Sequence, residues 1–283
     1  MGSAFWEDVV AGGRDVPEDR PLDEVTAELT GMLGSADPGE RDRCATTLLG
    51  TWIGRGVYDD LLTGLGDGMA AGLDVGLGEQ GGDTVFRRSS SAGLLGVCIE
   101  RDNSQGLLAP SRILTWGDRL AAWFVRERDL RGHIEGKGWA AALARGADAL
   151  GALGASHALA RPELTVLLDV IADRMLLPGE VLLGREPDCL AAATIRILRR
   201  DQIPLSVLEP WVSRLGAGAQ PPAGEGPVEP AAINTRAFLR ALYLHLAVGV
   251  APEGTSHPAI RPDLLLVLVE ALRALEPTLR PPR

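Results

Sequence analysis

The stretch that decides the fold class is residues 37–53, which reads DPGERDRCATTLLGTWI. Asp37 is suited to cap the start of a helix, Pro38 suits the first helical position, and Glu40 can reach back to the cap. The apolar residues that follow recur at the spacing of one buried helix face: Ala45, Leu48, Leu49, Trp52 and Ile53. The stretch therefore predicts an amphipathic helix with a defined start.

The same periodicity extends over most of the chain, and strand signals are almost absent. β-Branched residues are sparse, and aromatic residues make up 4% of the sequence. When the helices are grouped in twos, successive pairs begin near residues 37, 83, 139, 186 and 232. This spacing approaches the length of a HEAT-type repeat, which is about 40–47 residues. The sequence thus predicts an all-α fold of stacked antiparallel helix pairs, a HEAT-like α-solenoid (α/α superhelix).

We expect residues 1–20 to form an N-terminal extension and residues 21–283 to form a single helical repeat-like domain. A chain of this length buries roughly three quarters of its unfolded surface and needs neither a disulfide nor a metal for stability. Within the domain, Gly216–Pro230 is rich in proline, glycine and alanine, which favours an exposed loop between two helices. The alternative is a boundary before a C-terminal helix pair.

Charge and hydropathy restrict the possible partners. The net charge is −10, which repels nucleic acid unless a basic groove is built locally, and the sequence has no such basic cluster. The apolar runs are shorter than the roughly 20 residues of a membrane span, and residues 1–19 lack the apolar core of a signal peptide. We therefore expect a cytoplasmic protein without nucleic-acid or membrane partners. The three cysteines, Cys44, Cys98 and Cys189, are expected to be reduced core residues.

Lysine occurs once in this chain: of 28 basic residues, 27 are arginine and the remaining one is Lys137. Lysine can lose its proton in a dry site and act as a nucleophile or base, whereas arginine stays charged. A lysine in such an arginine-rich chain suggests a position where arginine would not serve. The alternative is that the single lysine has no special role.

Lys137 lies in the segment Asp129–Trp139, which reads DLRGHIEGKGW. Its three glycines allow the backbone to turn tightly and to approach a ligand closely. We expect the next helix to begin at Trp139 and to place Asp148 on one of its faces. A loop that feeds a helix N-terminus is suited to bind an anion, because backbone N–H groups and the helix dipole point toward it.

This segment resembles the signature of an uncharacterised bacterial family, the domain of unknown function 2785. The matching runs are Asp129–Gly132, Glu135–Ala140 and Gly146–Asp148. Other runs that fit the family are Gly76–Glu79, Phe86–Ser89, Glu100–Asn103 and Asn234–Tyr243. The resemblance extends over roughly Pro21–Val248, and it implies an α-helical fold without an established activity.

The sequence departs from the family on the helix that follows the tryptophan. Family members commonly carry two histidines four residues apart, where this chain has Ala141 and Arg145. Histidines at this spacing share a helix face and make a natural pair of metal ligands. Because the pair is missing and the remaining histidines have no ligand spacing, we expect no metal and no cofactor. Arg145 places a fixed charge where relatives have an imidazole, which suggests a site altered for a different small molecule.

A functional interpretation assigns acid–base catalysis to Glu135, Lys137 and Asp148. A partly desolvated carboxylic acid such as Glu135 could act as a general acid or base near neutral pH. Lys137 could form a Schiff base or hold a carboxylate. Substrate binding is assigned to residues of the loop, its following helix and the other family motifs: Asp129, Arg131, Trp139, Arg145, Arg88, Asp102 and Tyr243.

Each candidate also has a structural interpretation, in which charged neighbours hold the fold together. The pairs that the spacing allows are Glu135–Lys137, Asp129–Arg131 and Arg145–Asp148, and the candidate helix-end caps are Arg88, Asp102 and Asn103. The tryptophans are then core residues rather than platforms for a substrate.

Two functions remain open from the sequence. The first is a cofactor-independent acid–base enzyme that acts on a small organic metabolite by condensation, cyclisation, elimination or isomerisation, for example in bacterial specialised metabolism. The second is a non-catalytic HEAT-like binding or scaffold protein for a protein or a small-molecule ligand. The glycine-rich loop with its lysine favours the enzyme, whereas the repeat-like architecture favours the scaffold. A homodimer is compatible with both.

Overall fold

The structure, a computed structural model, describes residues 3–220, 227–249 and 256–275. These residues are mostly helical, and the strands among them form one two-stranded hairpin. The predicted all-α class is therefore confirmed. The chain divides into two compact units, residues 1–153 and 154–283. No helix in the described part of the chain is long and apolar enough to cross a membrane.

The first unit begins with α1 (Ser3–Ala11) and α2 (Leu22–Met32). A π-helix (Gly39–Thr46) then continues into α3 (Thr47–Gly54), and a 3₁₀ turn (Asp59–Leu61) precedes α4 (Leu62–Gly72). The remaining elements are α5 (Thr84–Gln105), α6 (Pro110–Arg126), β1 (His133–Ile134), β2 (Gly138–Trp139) and α7 (Ala142–Ala155), and α7 ends just inside the second unit. Helix α1 lies in the segment expected to be an N-terminal extension. Its Trp6 is fully buried and donates a hydrogen bond to Glu28 of α2 at 2.8 Å.

Helix α5 is the central element of the first unit, where it contacts α3, α4, α6 and the π-helix. Its buried face contains a run of small residues, Ser89–Ala92. Small side chains allow neighbouring helices to approach closely. A Cβ added to Gly96 of α5, for example, would lie 3.0 Å from the Cα of Ala149 on α7.

The expected helix start at Asp37 takes the form of the π-helix Gly39–Thr46. Asp37 Oδ1 accepts a hydrogen bond from the backbone N–H of Gly39 at 2.6 Å, in the capping manner predicted. The predicted contact from Glu40 back to the cap is not the one that forms. Glu40 Oε2 instead accepts a hydrogen bond from Ser35 Oγ at 2.8 Å, and that hydroxyl accepts from the Asp37 N–H.

Two threonines support the wide turn of the π-helix. The hydroxyls of Thr46 and Thr47 donate to the carbonyls of Arg41 and Asp42, each five residues earlier, at 2.8 Å. These bonds have the i to i−5 spacing that defines a π-helix. The hydroxyl bonds are thus in register with the π-helix, which fixes the backbone from which Arg41 and Asp42 extend.

Strands β1 and β2 pair antiparallel, with His133 opposite Trp139. The prediction that a helix begins at Trp139 is wrong, because α7 begins at Ala142. Gly136 and Gly138 adopt φ angles of +72° and +78°, which glycine accepts readily and other residues do not. The glycines therefore turn the chain back on itself before it enters the helix.

The second unit contains α8 (Arg161–Leu176), α9 (Glu186–Leu198), α10 (Leu205–Gly218), α11 (Pro230–Val248) and α12 (Arg261–Leu275). Helix α11 contacts the other four. The expected loop Gly216–Pro230 is shorter at its start than predicted, because residues 216–218 complete α10. Residues 221–226 of that prediction lie outside the described part of the chain.

We expect Gly66→Ala to lower the free energy of unfolding by about 1–3 kcal/mol, the usual cost of overpacking. A Cβ at residue 66 would lie 2.2 Å from the ring of Trp116 on α6, and the indole N–H of that ring is held by Asp67 at 2.8 Å. Gly64→Ala on the same helix is the control. Its Cβ meets no atom within 4 Å, so better helix propensity should stabilise that variant by up to about 1 kcal/mol. Urea denaturation followed by circular dichroism measures both, and equal stabilities would contradict this packing.

The three cysteines are free and buried, as predicted. Burial raises the pKa of the Cys98 thiol to about 12 and also raises that of Cys44. Because the thiolate is the reactive form, we expect a disulfide reagent such as Ellman's to react slowly with the native protein at pH 8. All three thiols should react rapidly in guanidinium chloride. Rapid reaction without denaturant would contradict the burial of these side chains.

Candidate functional site

Asp129 and Arg131 form an ion pair within the hairpin segment 129–139, and both also bind the loop before α5. The predicted pair forms, with Arg131 Nη2 2.7 Å from Asp129 Oδ2. Arg131 also donates to the carbonyls of Gly81 and Gly82, and Asp129 Oδ2 accepts from the N–H of Gly81 at 3.0 Å. Asp129 is buried. These two residues therefore hold the hairpin in place.

The catalytic interpretation expected Glu135 and Lys137 to share a desolvated pocket. The structure does not place them in one. Glu135 is exposed in the turn between the strands. The ammonium of Lys137 lies 2.7 and 2.8 Å from the two carboxylate oxygens of Asp83, and the two side chains are 41% and 45% exposed. The left-handed glycines turn the hairpin so that Lys137 meets Asp83 of the neighbouring loop instead of Glu135.

A buried arginine, Arg41, binds the backbone of the hairpin. Arg41 is fully buried, and its Nη2 donates to the carbonyl of Lys137 at 2.8 Å. The guanidinium also lies over the ring of Phe86, 4.0 Å from the centroid, within the range of a cation–π contact. Its carboxylate partner is the adjacent Asp42, at 2.7 Å.

Asp42 also binds Arg145 of α7. Arg145 Nη2 lies 2.7 Å from Asp42 Oδ1, and Nη1 donates to Ser90 Oγ at 3.0 Å. The pairing of Arg145 with Asp148 that the spacing allows is therefore replaced by a pair with the π-helix, and Asp148 is exposed on α7. Ala141 has a φ angle of +48° just before the helix.

Arg88 forms the most deeply buried ion pair described in this unit. It is fully buried, and its Nε and Nη2 lie 2.5 and 2.9 Å from the carboxylate oxygens of Glu127. Arg88 also donates to the carbonyls of residues 75 and 76. Glu127 accepts from the indole of Trp123 at 3.0 Å and from the N–H of Asp129 at 2.9 Å. Arg88 therefore joins two loops through contacts within the unit.

The remaining predicted binding residues also have structural partners or stand apart. Asp102 Oδ1 accepts from the N–H of Leu108 at 2.7 Å and closes the turn after α5, as the helix-cap interpretation expected. Trp139 is 54% exposed, with its ring edge-to-face against His133 at 5.4 Å. Tyr243 lies on α11 in the second unit and is half-buried. The predicted site residues thus do not converge on one pocket within the first unit.

A different feature of the first unit has the shape of a binding site. A groove of about 420 Å³ runs between α2 and α4. It is lined by Leu22, Asp23, Thr26, Ala27, Thr30, Tyr58, Leu61, Gly64, Leu65, Gly68, Met69 and Arg87. Leu61 is 56% exposed at its edge, and Cβ atoms added to Gly64 or Gly68 would meet open space. The apolar spacing of Leu61, Leu65 and Met69 in the sequence indicates a helix, but it gives no sign of the groove that these residues line.

Most polar groups of the groove are bonded within the fold. Thr26 Oγ1 donates to the carbonyl of Leu22 at 2.6 Å, and Thr30 Oγ1 donates to the carbonyl of Thr26 at 2.8 Å. The hydroxyls of Thr26 and Tyr58 also share a hydrogen bond of 2.8 Å. The α2 wall therefore presents mainly methyl and methylene groups, and the charged side chains on the groove are Asp23 and Arg87.

No group of three or more histidine, cysteine, aspartate or glutamate side chains within residues 3–220, 227–249 and 256–275 is arranged to hold a metal ion.

The fold and these features define a helical protein whose charged loop is fastened to its core and whose apolar groove is open. The chain belongs to the family described as "Protein of unknown function (DUF2785)", whose family model matches residues 73–244. The resemblance seen in the sequence is thus confirmed. No curated protein and no solved structure matches the chain. Of the residues that line the groove, all except Arg87 precede the matched range.

We expect Arg88→Met to lower the free energy of unfolding by about 3–5 kcal/mol, because the carboxylate of Glu127 would stay buried without its partner. Lys137→Met, the control on the hairpin, should cost about 1 kcal/mol or less, since its ion pair with Asp83 is largely exposed. Urea denaturation of both variants measures the difference. Similar losses in the two variants would show that Arg88 and Glu127 do not form the buried pair described.

Proposed function

We propose that this protein is a non-catalytic binding protein for a small organic ligand, and that the ligand lies in the groove between α2 and α4. The observation that carries the proposal is an apolar groove of about 420 Å³ within a single compact unit. Ligand sites are typically concave, mostly apolar and about 300–1,000 Å³ in volume, with a few polar groups that fix orientation. The groove meets each of these criteria.

The hairpin gives less support to the alternative, an acid–base enzyme that uses Glu135, Lys137 and Asp148. A lysine that forms Schiff bases is activated by desolvation or by a neighbouring cation. Lys137 instead contacts a carboxylate and is partly exposed, and Glu135 and Asp148 are exposed. The enzyme and its place in biosynthesis remain predictions from the sequence, and the geometry favours the binding protein.

Three further statements belong to the same proposal. We infer that the antiparallel helix pairs stack as in a HEAT-like α-solenoid, an architecture that often presents binding surfaces. We place the protein in the cytoplasm, in line with its composition. We also retain a homodimer as a prediction, which sedimentation analysis would test.

Binding is tested with a neutral fluorescent probe, N-phenyl-1-naphthylamine, whose emission rises in apolar surroundings. We expect saturable binding to the wild type, and at least about a tenfold loss of affinity in Gly68→Leu. The new side chain would fill the groove, and it would not harm the helix, because leucine is a better helix former than glycine. Gly31→Leu on α2 is the matched control, since residue 31 is exposed, does not line the groove and has open space around it.

Two further variants separate the groove from the hairpin. Glu135→Gln and Lys137→Arg should bind the probe as the wild type does. Loss of binding in these variants, with Gly68→Leu unaffected, would move the site to the hairpin and overturn the proposal. An absence of saturable binding to the wild type would overturn it as well.

A further inference from the structure

Arg87 reaches the groove from α5 through a gap that two glycines leave open. A Cβ added to Gly34 would lie 3.4 Å from the Cβ of Arg87, and a Cβ added to Gly72 would lie 3.1 Å from its Nε. A larger residue at either position would crowd the arginine. The small residues therefore let the aliphatic stem of Arg87 pass from the central helix to the groove, where the side chain forms part of the lining.

The guanidinium of Arg87 differs from the other half-buried or buried arginines around the hairpin. Arg41, Arg88, Arg131 and Arg145 each contact a carboxylate within 2.9 Å. Arg87 has no ion pair with a carboxylate of the described residues, and its hydrogen bond there is the one from Nη1 to the carbonyl of Thr30. A guanidinium has five N–H donors, so most of the hydrogen-bonding capacity of Arg87 is unused by these residues.

A bound anion would stabilise the charged guanidinium of an arginine in this position. Burial lowers the pKa of Arg87, which is the signature of a cation that has lost water without receiving a counter-charge. A planar guanidinium binds carboxylate or phosphate oxygens through two parallel hydrogen bonds, and such charge-assisted bonds are roughly twice as strong as neutral ones. An oxyanion in the groove would supply the charge that Arg87 lacks.

The rest of the groove fits a hydrocarbon chain. Along α2 the lining extends from Leu22 to Thr30, a rise of about 12 Å at 1.5 Å per residue. On α4, Gly64 and Gly68 leave open space beside Leu65. The one carboxylate of the lining, Asp23, is exposed in the first turn of α2, seven residues before Thr30, whose carbonyl binds Arg87. The guanidinium of Arg87 therefore lies toward one end of the apolar groove.

We propose that the groove binds a single-chain aliphatic molecule with an oxyanion head group, a carboxylate or a phosphate, and that Arg87 holds that head while the chain lies along Gly64 and Gly68. This inference rests on the proposed function and adds the chemical class of the ligand. The head group supplies orientation, and the chain supplies the apolar contact area.

The experiment displaces N-phenyl-1-naphthylamine with four compounds that share a ten-carbon chain: decanoate, decyl phosphate, decan-1-ol and decylamine. We expect at least one oxyanion to displace the probe from the wild type at a concentration at least about tenfold below that of decan-1-ol, with decylamine weakest. In Arg87→Met this advantage should disappear, while decan-1-ol binds as before. Arg214→Met, at an exposed arginine of the second unit, is the matched control and should leave all four affinities unchanged.

The outcomes separate the two proposals. Equal affinities for decanoate, decyl phosphate and decan-1-ol in the wild type, unaltered by Arg87→Met, would overturn the head-group assignment and leave the groove as a binding site. A stronger effect of decanoate than of decyl phosphate assigns the ligand to the carboxylates, and the reverse assigns it to the phosphates. If Arg87→Met fails to fold by circular dichroism, Arg87→Gln, which keeps a donor and removes the charge, should show the same loss of oxyanion preference.

Discussion

The buried ion pair between Arg88 and Glu127 is the constraint on which the first unit depends. Two full charges are removed from water there, and each is tolerable only because the other is present and the remaining hydrogen bonds are made. Those remaining bonds go to the carbonyls of residues 75 and 76, to the indole of Trp123 and to the N–H of Asp129. The pair therefore fixes the loop before α5 and the start of the hairpin in one arrangement.

The contacts that hold segment 129–139 in place follow from that constraint. Once Asp129 is positioned, its carboxylate and Arg131 bind the loop at Gly81 and Gly82, and Arg41 binds the far end of the hairpin. Asp129, Arg131 and Lys137 each form a contact within the unit, whereas Glu135 is exposed in the turn. A glycine-rich, charged loop can suggest a catalytic site in a sequence, because catalytic loops and loops that hold a fold together both need tight turns and ionisable groups. In this segment, Asp129, Arg131 and Lys137 bind groups of the protein.

The sequence predicts the helices well because their cause is local. Apolar residues at helical spacing and a cap at Asp37 determine where helical structure forms, and no distant residue is needed. The hairpin could not be foreseen in this way. It depends on left-handed φ angles at Gly136 and Gly138 and on contacts with distant segments, and the apolar pattern that follows Trp139 suggests an earlier helix start.

The long-range contacts of the charged side chains could not be predicted either, for a related reason. Arg88 and Glu127 are 39 residues apart, Arg41 and the Lys137 carbonyl are 96 apart, and the partners of the pair that involves Arg145 are 103 apart. Spacing rules identify neighbours three or four residues apart on one helix, so they suggested Asp148 as the partner of Arg145. Closeness within the loop suggested Glu135 as the partner of Lys137. The groove was missed because a gap between two helices leaves no periodic trace in either one.

The position of Arg87 on the central helix has a thermodynamic consequence. A molecule held by that side chain would be attached to the element that contacts α3, α4, α6 and the π-helix, and not to a peripheral loop. Any compound that binds the native chain and not the unfolded one stabilises it by RT ln(1 + [L]/Kd). A molecule bound in the groove would therefore raise the resistance of the whole first unit to heat and to proteolysis. The melting temperature would then report on a bound molecule before its identity is known.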